Sequence, residues 1–439
     1  MTAKTETVII GGGQAGLSLS AQLAARRHPH VVLERGQVGE RWRSERWDSL
    51  HLLTPNWLNG LDGGPAHADR DGFLGRDAFV DYLEQYRTSV GAPVREHVDV
   101  LWVTRRRGRF RVQTDDGTWS ASTVVVATGD CGVPHRPAAA RILPPEIEQL
   151  DAAQYRRPEQ LRPGAVLVVG AGASGLQIAA ELRRAGRTTI LAVGRHARAL
   201  RRYRGYDIWH WLERLGDLED SVDEVPKEAR RTPSFGLSGR NGGEELDLGV
   251  LSRLGVTLVG RLEGISGRVA AFDDSLAASV ADADKRLFAL LERIDRHIVR
   301  QAGAAIPPPE PVAGVHVDEA PRSVDLRAAD VTTVIWATGY RREYPWLHLP
   351  VLAEDGEIDQ HHGVTAVPGL FTLGLKFQSR RTSHTIGGVS RDAAAIAQRI
   401  THAAPAVAPP EHFRWPRPVG RLALCAVLPP ALARATRYC

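Results

Sequence analysis

Gly11, Gly13 and Gly16 stand in a G-x-G-x-x-G run, and Gly170, Gly172 and Gly175 repeat it later in the chain. In such a run the first glycine permits a tight turn and the second lets backbone approach a pyrophosphate. The third lets a helix pack closely on the preceding strand. Gln14 and Ala15 open a helix in the first copy, as Ser174 does in the second. Their N-terminal N–H groups and positive dipole end suit phosphate. Two copies in one chain predict two dinucleotide sites and a hydride moved between their ligands.

The residues that close each unit differ in charge. Glu34, followed by Arg35, lies about 20 positions after Gly11, where a carboxylate accepts from a ribose 2′-hydroxyl and repels a 2′-phosphate. The first site therefore predicts FAD or NAD rather than NADP. The corresponding end of the second unit reads Gly194-Arg195-His196-Ala197-Arg198. A guanidinium there suits a 2′-phosphate and favours NADPH over NADH, with Arg195 the first candidate and Arg198 the second. No Ser/His/Asp arrangement and no cluster with metal-ligand spacing is legible, so no metal is expected.

Elements of a parallel sheet must hold these loops. Val8-Ile9-Ile10 and Val168-Val169 are apolar runs of the buried-strand kind, each followed by a helical stretch over 15–26 or 174–184. A helix is predicted over 76–87, with Phe79, Leu83 and Tyr86 on one face. Strands over 94–103, 109–114 and 119–126 follow, the last two joined by Asp115-Asp116-Gly117. In the second half, Asp207 to Leu212 reads as an amphipathic helix whose Trp209 and Trp211 suit core packing better than a pocket. A longer helix over 282–300 carries Leu287, Leu291, Ile294 and Ile298 as a stripe.

Composition narrows the class. At 439 residues the chain has room for two or three domains. Its net charge is +5, and the arginines behind it are dispersed, which reads as solvated surface rather than a nucleic-acid face. No apolar run reaches the roughly 20 residues that cross a bilayer, and Met1 to Thr7 leads straight into a strand, so a cytoplasmic protein is expected. Cys131, Cys425 and Cys439 form no C-x-x-C, which argues against dithiol redox chemistry.

Arg41-Trp42, the run Arg46 to Leu50, Thr54-Pro55, Ala127-Thr128-Gly129, Ala337-Thr338-Gly339-Tyr340 and Pro368 to Gly374 join the two glycine loops in one order along the chain. In that combination the sequence resembles the flavin-containing monooxygenase-like group of FAD- and NADPH-dependent oxidoreductases. The resemblance implies an α/β, glutathione-reductase-like architecture with two Rossmann-type domains. An FAD domain over 1–160 returns over 341–402, an NADPH domain over 161–340 is inserted in it, and a Pro/Ala-rich extension covers 403–439. It places Arg41, Trp42, Trp47, Leu50 and Thr54 beside the flavin, and Ala127, Thr128, Gly129 and Gly374 around the same site. Ala337, Thr338 and Gly339 fall to the nicotinamide nucleotide. It implies an NADPH-reduced monooxygenase that inserts one atom of dioxygen into a small organic substrate through a flavin oxygenated at C4a. A homodimer is compatible with that reading.

The chain also departs from the family pattern. The signature F-x-G-x-x-x-H-x-x-x-Y meets Pro145, Ile147, Asp151 and Tyr155, so only the last residue survives. Leu53 falls where animal-type members carry an asparagine near the flavin. A carboxylate at 151 instead of an imidazole predicts repulsion of a nearby pyrophosphate, weak NADP⁺ retention and uncoupling to hydrogen peroxide. Two alternatives therefore stay open: a flavin oxidase or dehydrogenase of the same fold, and a redox-sensing or partner-docking flavoprotein. Arg421 to Arg437 reads as a short amphipathic helix interrupted by Pro429-Pro430.

Overall fold

The computed structural model describes residues 2–300, 306–317 and 319–402; the expected helix at 421–437 lies outside them. Two parallel sheets dominate. In the first, Thr7–Ile10 lies between His30–Leu33 and Thr123–Val126, parallel to both, with Ile10 level with Leu33 and Val126. Val94–Arg95 extends the sheet beyond His30–Leu33, and Leu370–Thr372 extends it beyond Thr123–Val126. The hairpin Gln360–His361 and Val364–Thr365 forms one edge. In the second sheet, Ala165–Val169 lies between Thr189–Ala192 and Val331–Trp336, again parallel, with Val169 level with Ala192 and Trp336. The shared plan follows from the sequence: strands buried on both faces read as near-continuous apolar runs, and all four residues of Thr7–Ile10, of which only Thr7 is polar, and all five of Ala165–Val169 are buried.

Three boundaries differ from the sequence reading. Glu148–Asp151 pairs with Val331–Trp336, so the second sheet begins ahead of the expected break at 161. The expected strand over 94–103 is two strands in different sheets, separated where His97 adopts φ +57. The expected strand over 119–126 likewise divides into Gly117–Ala121, which completes an antiparallel meander, and Thr123–Val126. Strand-forming residues lie close on both sides of each break, so the pattern alone does not reveal that the chain changes sheets.

Each glycine loop feeds a twelve-residue helix, Gln14–Ala25 or Ala173–Arg184. A Cβ on Gly16 would collide with the Gly11 carbonyl, and one on Gly175 with the Gly170 carbonyl. Those contacts set how near each helix sits to its strand. Gly16→Ala and Gly175→Ala are each expected to lower stability by about 1–3 kcal/mol, the usual cost of overpacking a tight site. Denaturant unfolding checks this, and an unchanged midpoint would contradict the packing role. Trp211 settles into the core, as expected, with its indole N–H donating to the Tyr203 carbonyl at 2.8 Å.

Candidate active site

Gly11 has φ +112, and a Cβ there would lie 2.5 Å from the Ala127 carbonyl oxygen, so the first loop and the Ala127-Thr128-Gly129 segment pack backbone to backbone. Gly374, at φ +86, closes on the Ala15 methyl, bringing the return segment to the same helix start. Gly13, which precedes the first turn of that helix, has no heavy atom within 4 Å of a built Cβ. Glu34 lies across the loop: Gly12 N–H donates to its Oε2 at 2.6 Å and Gly36 N–H to its Oε1 at 3.0 Å. Arg35 is exposed.

The residues that the resemblance assigned to the flavin divide into two sets. Trp47 and Leu50 are buried in the hydrophobic core. Trp42 is half-buried, edge-on to Phe79 at 4.7 Å, with the Arg46 guanidinium over its ring. Arg41 donates to the Gly132 carbonyl at 3.0 Å and pairs with Glu45. Thr54 donates to Asn59 Oδ1 at 2.6 Å. The Leu53 carbonyl accepts from both Arg201 terminal nitrogens and from the Trp209 indole.

The second loop repeats the first closely. Gly170 has φ +111 and stands 2.5 Å, by the same measure, from the Ala337 carbonyl oxygen, and nothing lies within 4 Å of a Cβ built on Gly172 or Gly339. Here the loop opens on a cleft of about 1150 Å³. Gly170 to Ser174, Arg195 and Ala337 to Tyr340 line it, and the Asp130 and Lys376 segments contribute further wall. Arg195 is exposed and forms no ion pair among the described residues. Arg198 needs correction as a phosphate ligand: its Nε pairs with Asp247 at 2.8 Å and its Nη1 with Asp284 at 2.7 Å, all three side chains nearly buried. Two carboxylates already occupy that guanidinium, and it is not among the residues lining the cleft.

Sequence reasoning missed the charges at the far wall. Arg342 pairs with Asp130 and with Glu357, and Asp130 also accepts from the Lys376 backbone N–H at 3.4 Å. The Lys376 ammonium donates to the Thr232 carbonyl at 3.0 Å, and burial pushes its pKa down. Burial likewise pushes His384 down, favouring the neutral imidazole. The one available signal was a lysine, rare in this chain, two positions after Gly374.

Asp151 also requires correction. Arg136 grips its carboxylate with two hydrogen bonds, at 2.8 and 3.0 Å. That pairing offsets the charge, so the expected repulsion of a pyrophosphate does not follow. Tyr155 is fully buried and donates to Glu181 at 2.9 Å, while Ser49 donates to the other oxygen of the same carboxylate. The expectation of no metal-ligand cluster also changes, because Asp223, His361 and His362 converge.

The family described as pyridine nucleotide-disulphide oxidoreductase matches residues 8–209. A CzcO-like oxidoreductase of Geobacillus kaustophilus is 31% identical over 392 residues, 88% of this chain and 96% of its own. The chain belongs to the CzcO-like oxidoreductases. An indole-3-pyruvate monooxygenase of rice, YUCCA1, is 26% identical over 411 residues, covering 90% of each chain. A flavin-containing monooxygenase of Stenotrophomonas maltophilia shares the fold with a TM-score of 0.63 at 22% identity, covering 91% of this chain and 98% of that one. Among the described residues no helix is long and apolar enough to cross a membrane.

Proposed function

We propose that this oxidoreductase is an FAD-dependent, NADPH-reduced monooxygenase acting on a small organic substrate. The observation that carries the reading is the open space at Gly13 and Gly172, each beside a helix start that no side chain caps. Backbone N–H groups are left facing a volume that a pyrophosphate fills, so the residues fit two dinucleotides. FAD bound at the first loop would supply the redox chemistry, with NADPH as the two-electron reductant, one oxygen atom of dioxygen entering the substrate and the other leaving as water.

The chain's residues bind and orient. Each Glu34 oxygen keeps a free lone pair beyond its backbone contact and accepts from a ribose hydroxyl. Arg195 receives the adenosine 2′-phosphate as a charge-assisted donor. Gly129 and Gly339 leave room for ligand beside each loop, while the Arg342 pairs hold the far wall of the cleft rigid. The same reading makes the protein a cytoplasmic enzyme without a nucleic-acid partner.

The purified protein is expected to be yellow, with about one FAD per chain. NADPH should bleach it anaerobically much faster than NADH does. With ¹⁸O-labelled dioxygen and a panel of sulfides, amines and 2-oxo acids, one labelled atom should enter the product. An oxidised but unlabelled product, with equivalent hydrogen peroxide, would make the protein an oxidase or dehydrogenase. Absence of bleaching by NADPH would favour a sensing role.

A further inference from the structure

We propose that Asp223, His361 and His362 form a site for a divalent transition-metal ion of the zinc class. His361 Nε2 lies 3.0 Å from Asp223 Oδ1, and His362 Nε2 lies 2.9 Å from Oδ2. One ligand atom from each residue falls within 4.8 Å of the others. Zinc binds imidazole nitrogen and carboxylate oxygen at about 2.0–2.2 Å, so neighbouring ligand atoms in a tetrahedron lie roughly 3.3 Å apart. The two imidazole nitrogens each sit about 3 Å from one oxygen of the same carboxylate, and the three ligand atoms lie within 4.8 Å of one another, so small side-chain rotations bring them to that spacing. Two imidazoles and a carboxylate form a donor set that favours zinc, nickel or cobalt over magnesium or calcium. All three side chains reach solvent, which leaves a fourth position for water.

The backbone brings the histidines together. His362 and Gly363 are the two central residues of the hairpin turn at the edge of the first sheet, with φ +51 and +79. Two left-handed residues in a two-residue loop make a type I′ turn, for which Asn-Gly is the favoured sequence. Histidine stands where asparagine would be easier, and the two imidazole centroids are 4.3 Å apart. On a regular strand, consecutive side chains would point to opposite faces. The carboxylate comes from a separate segment, whose Val222 N–H donates to the Ser379 carbonyl at 2.8 Å and whose Val225 carbonyl accepts from Arg230 at 2.9 Å. Arg230 lines the nucleotide cleft. A metal ion at the three residues would thus tie the segment that bears on the cleft to the sheet edge. This inference is independent of which cofactors the glycine loops hold.

The test is equilibrium dialysis of the untagged full chain against micromolar ZnCl₂, with metal measured by elemental analysis. One bound zinc per chain is expected. His362→Asn keeps the turn and removes an imidazole, and Asp223→Asn removes the anionic ligand. Each should weaken zinc binding at least tenfold while leaving the metal-free melting temperature unchanged. In hydrogen-exchange mass spectrometry, zinc should protect peptides spanning 221–225 and 360–363 in the parent protein only. Failure to bind zinc, or equal affinity in both variants, overturns the proposal. Zinc held by Cys131 or the C-terminal cysteines would give that second result.

Discussion

Gly13→Val is expected to give a folded but colourless protein. A Cβ at this position meets no protein atom, so the substitution should not disturb packing as Gly16→Ala does. Its φ of −84 is open to any residue, which removes backbone strain as a second cause. The valine methyls would instead project into the space before the helix start, where the pyrophosphate must approach main-chain N–H groups. Flavin occupancy, read from the ratio of visible to 280 nm absorbance, should fall from about one per chain to near zero, with far-ultraviolet circular dichroism retained. Full occupancy in the variant would show that the first loop does not hold FAD. Unfolding would instead implicate packing, and Gly13→Ala would then separate the two causes.

Arg195→Ala and Arg198→Ala should fail in different ways, although the sequence offered both as phosphate ligands. Loss of a charge-assisted contact from Arg195 should weaken NADPH binding roughly ten- to hundred-fold, about 1.5–3 kcal/mol, and leave NADH almost unchanged. Arg198 is the shared partner of Asp247 and Asp284. Removing it strands two nearly buried carboxylates, and the stability loss should be about 3–5 kcal/mol. Asp247 also caps the helix Leu248–Arg253 through the Val250 N–H, so that helix should loosen as well. Stopped-flow titration with each coenzyme and urea unfolding check the pair. Equal loss of NADPH and NADH on removing Arg195 would place that residue elsewhere.

Local patterns recorded the two nucleotide units because their cause is local. The glycines, the apolar strands and the residue closing each unit lie within a few dozen positions, and the structure places them in matching registers. Arg195 and Arg198 show where this legibility ends. Both follow the same strand, and only the fold shows that Asp247 and Asp284 approach the second. Asp151 was misread for the same reason, since Arg136 reaches it from another segment. Lys376, Asp130 and Arg342 form one wall only because segments from three regions of the chain meet there. Asp223 and His361 are likewise 138 positions apart, and no spacing rule links them.

Glu181 gives the architecture a thermodynamic consequence. It lies on the helix Ala173–Arg184, whose start faces the cleft, and its two carboxylate oxygens accept from Ser49 and Tyr155. Roughly 10 Å of helix separates it from Ser174, at 1.5 Å per residue. A ligand that shifts this rod along its axis alters both hydrogen bonds at the other end. Such linkage is reciprocal: whatever affinity one nucleotide gains from the other, it must return by the same factor. Tyr155→Phe would cut one of the two ties, and the measured coupling between the sites should shrink equally whichever ligand is titrated first.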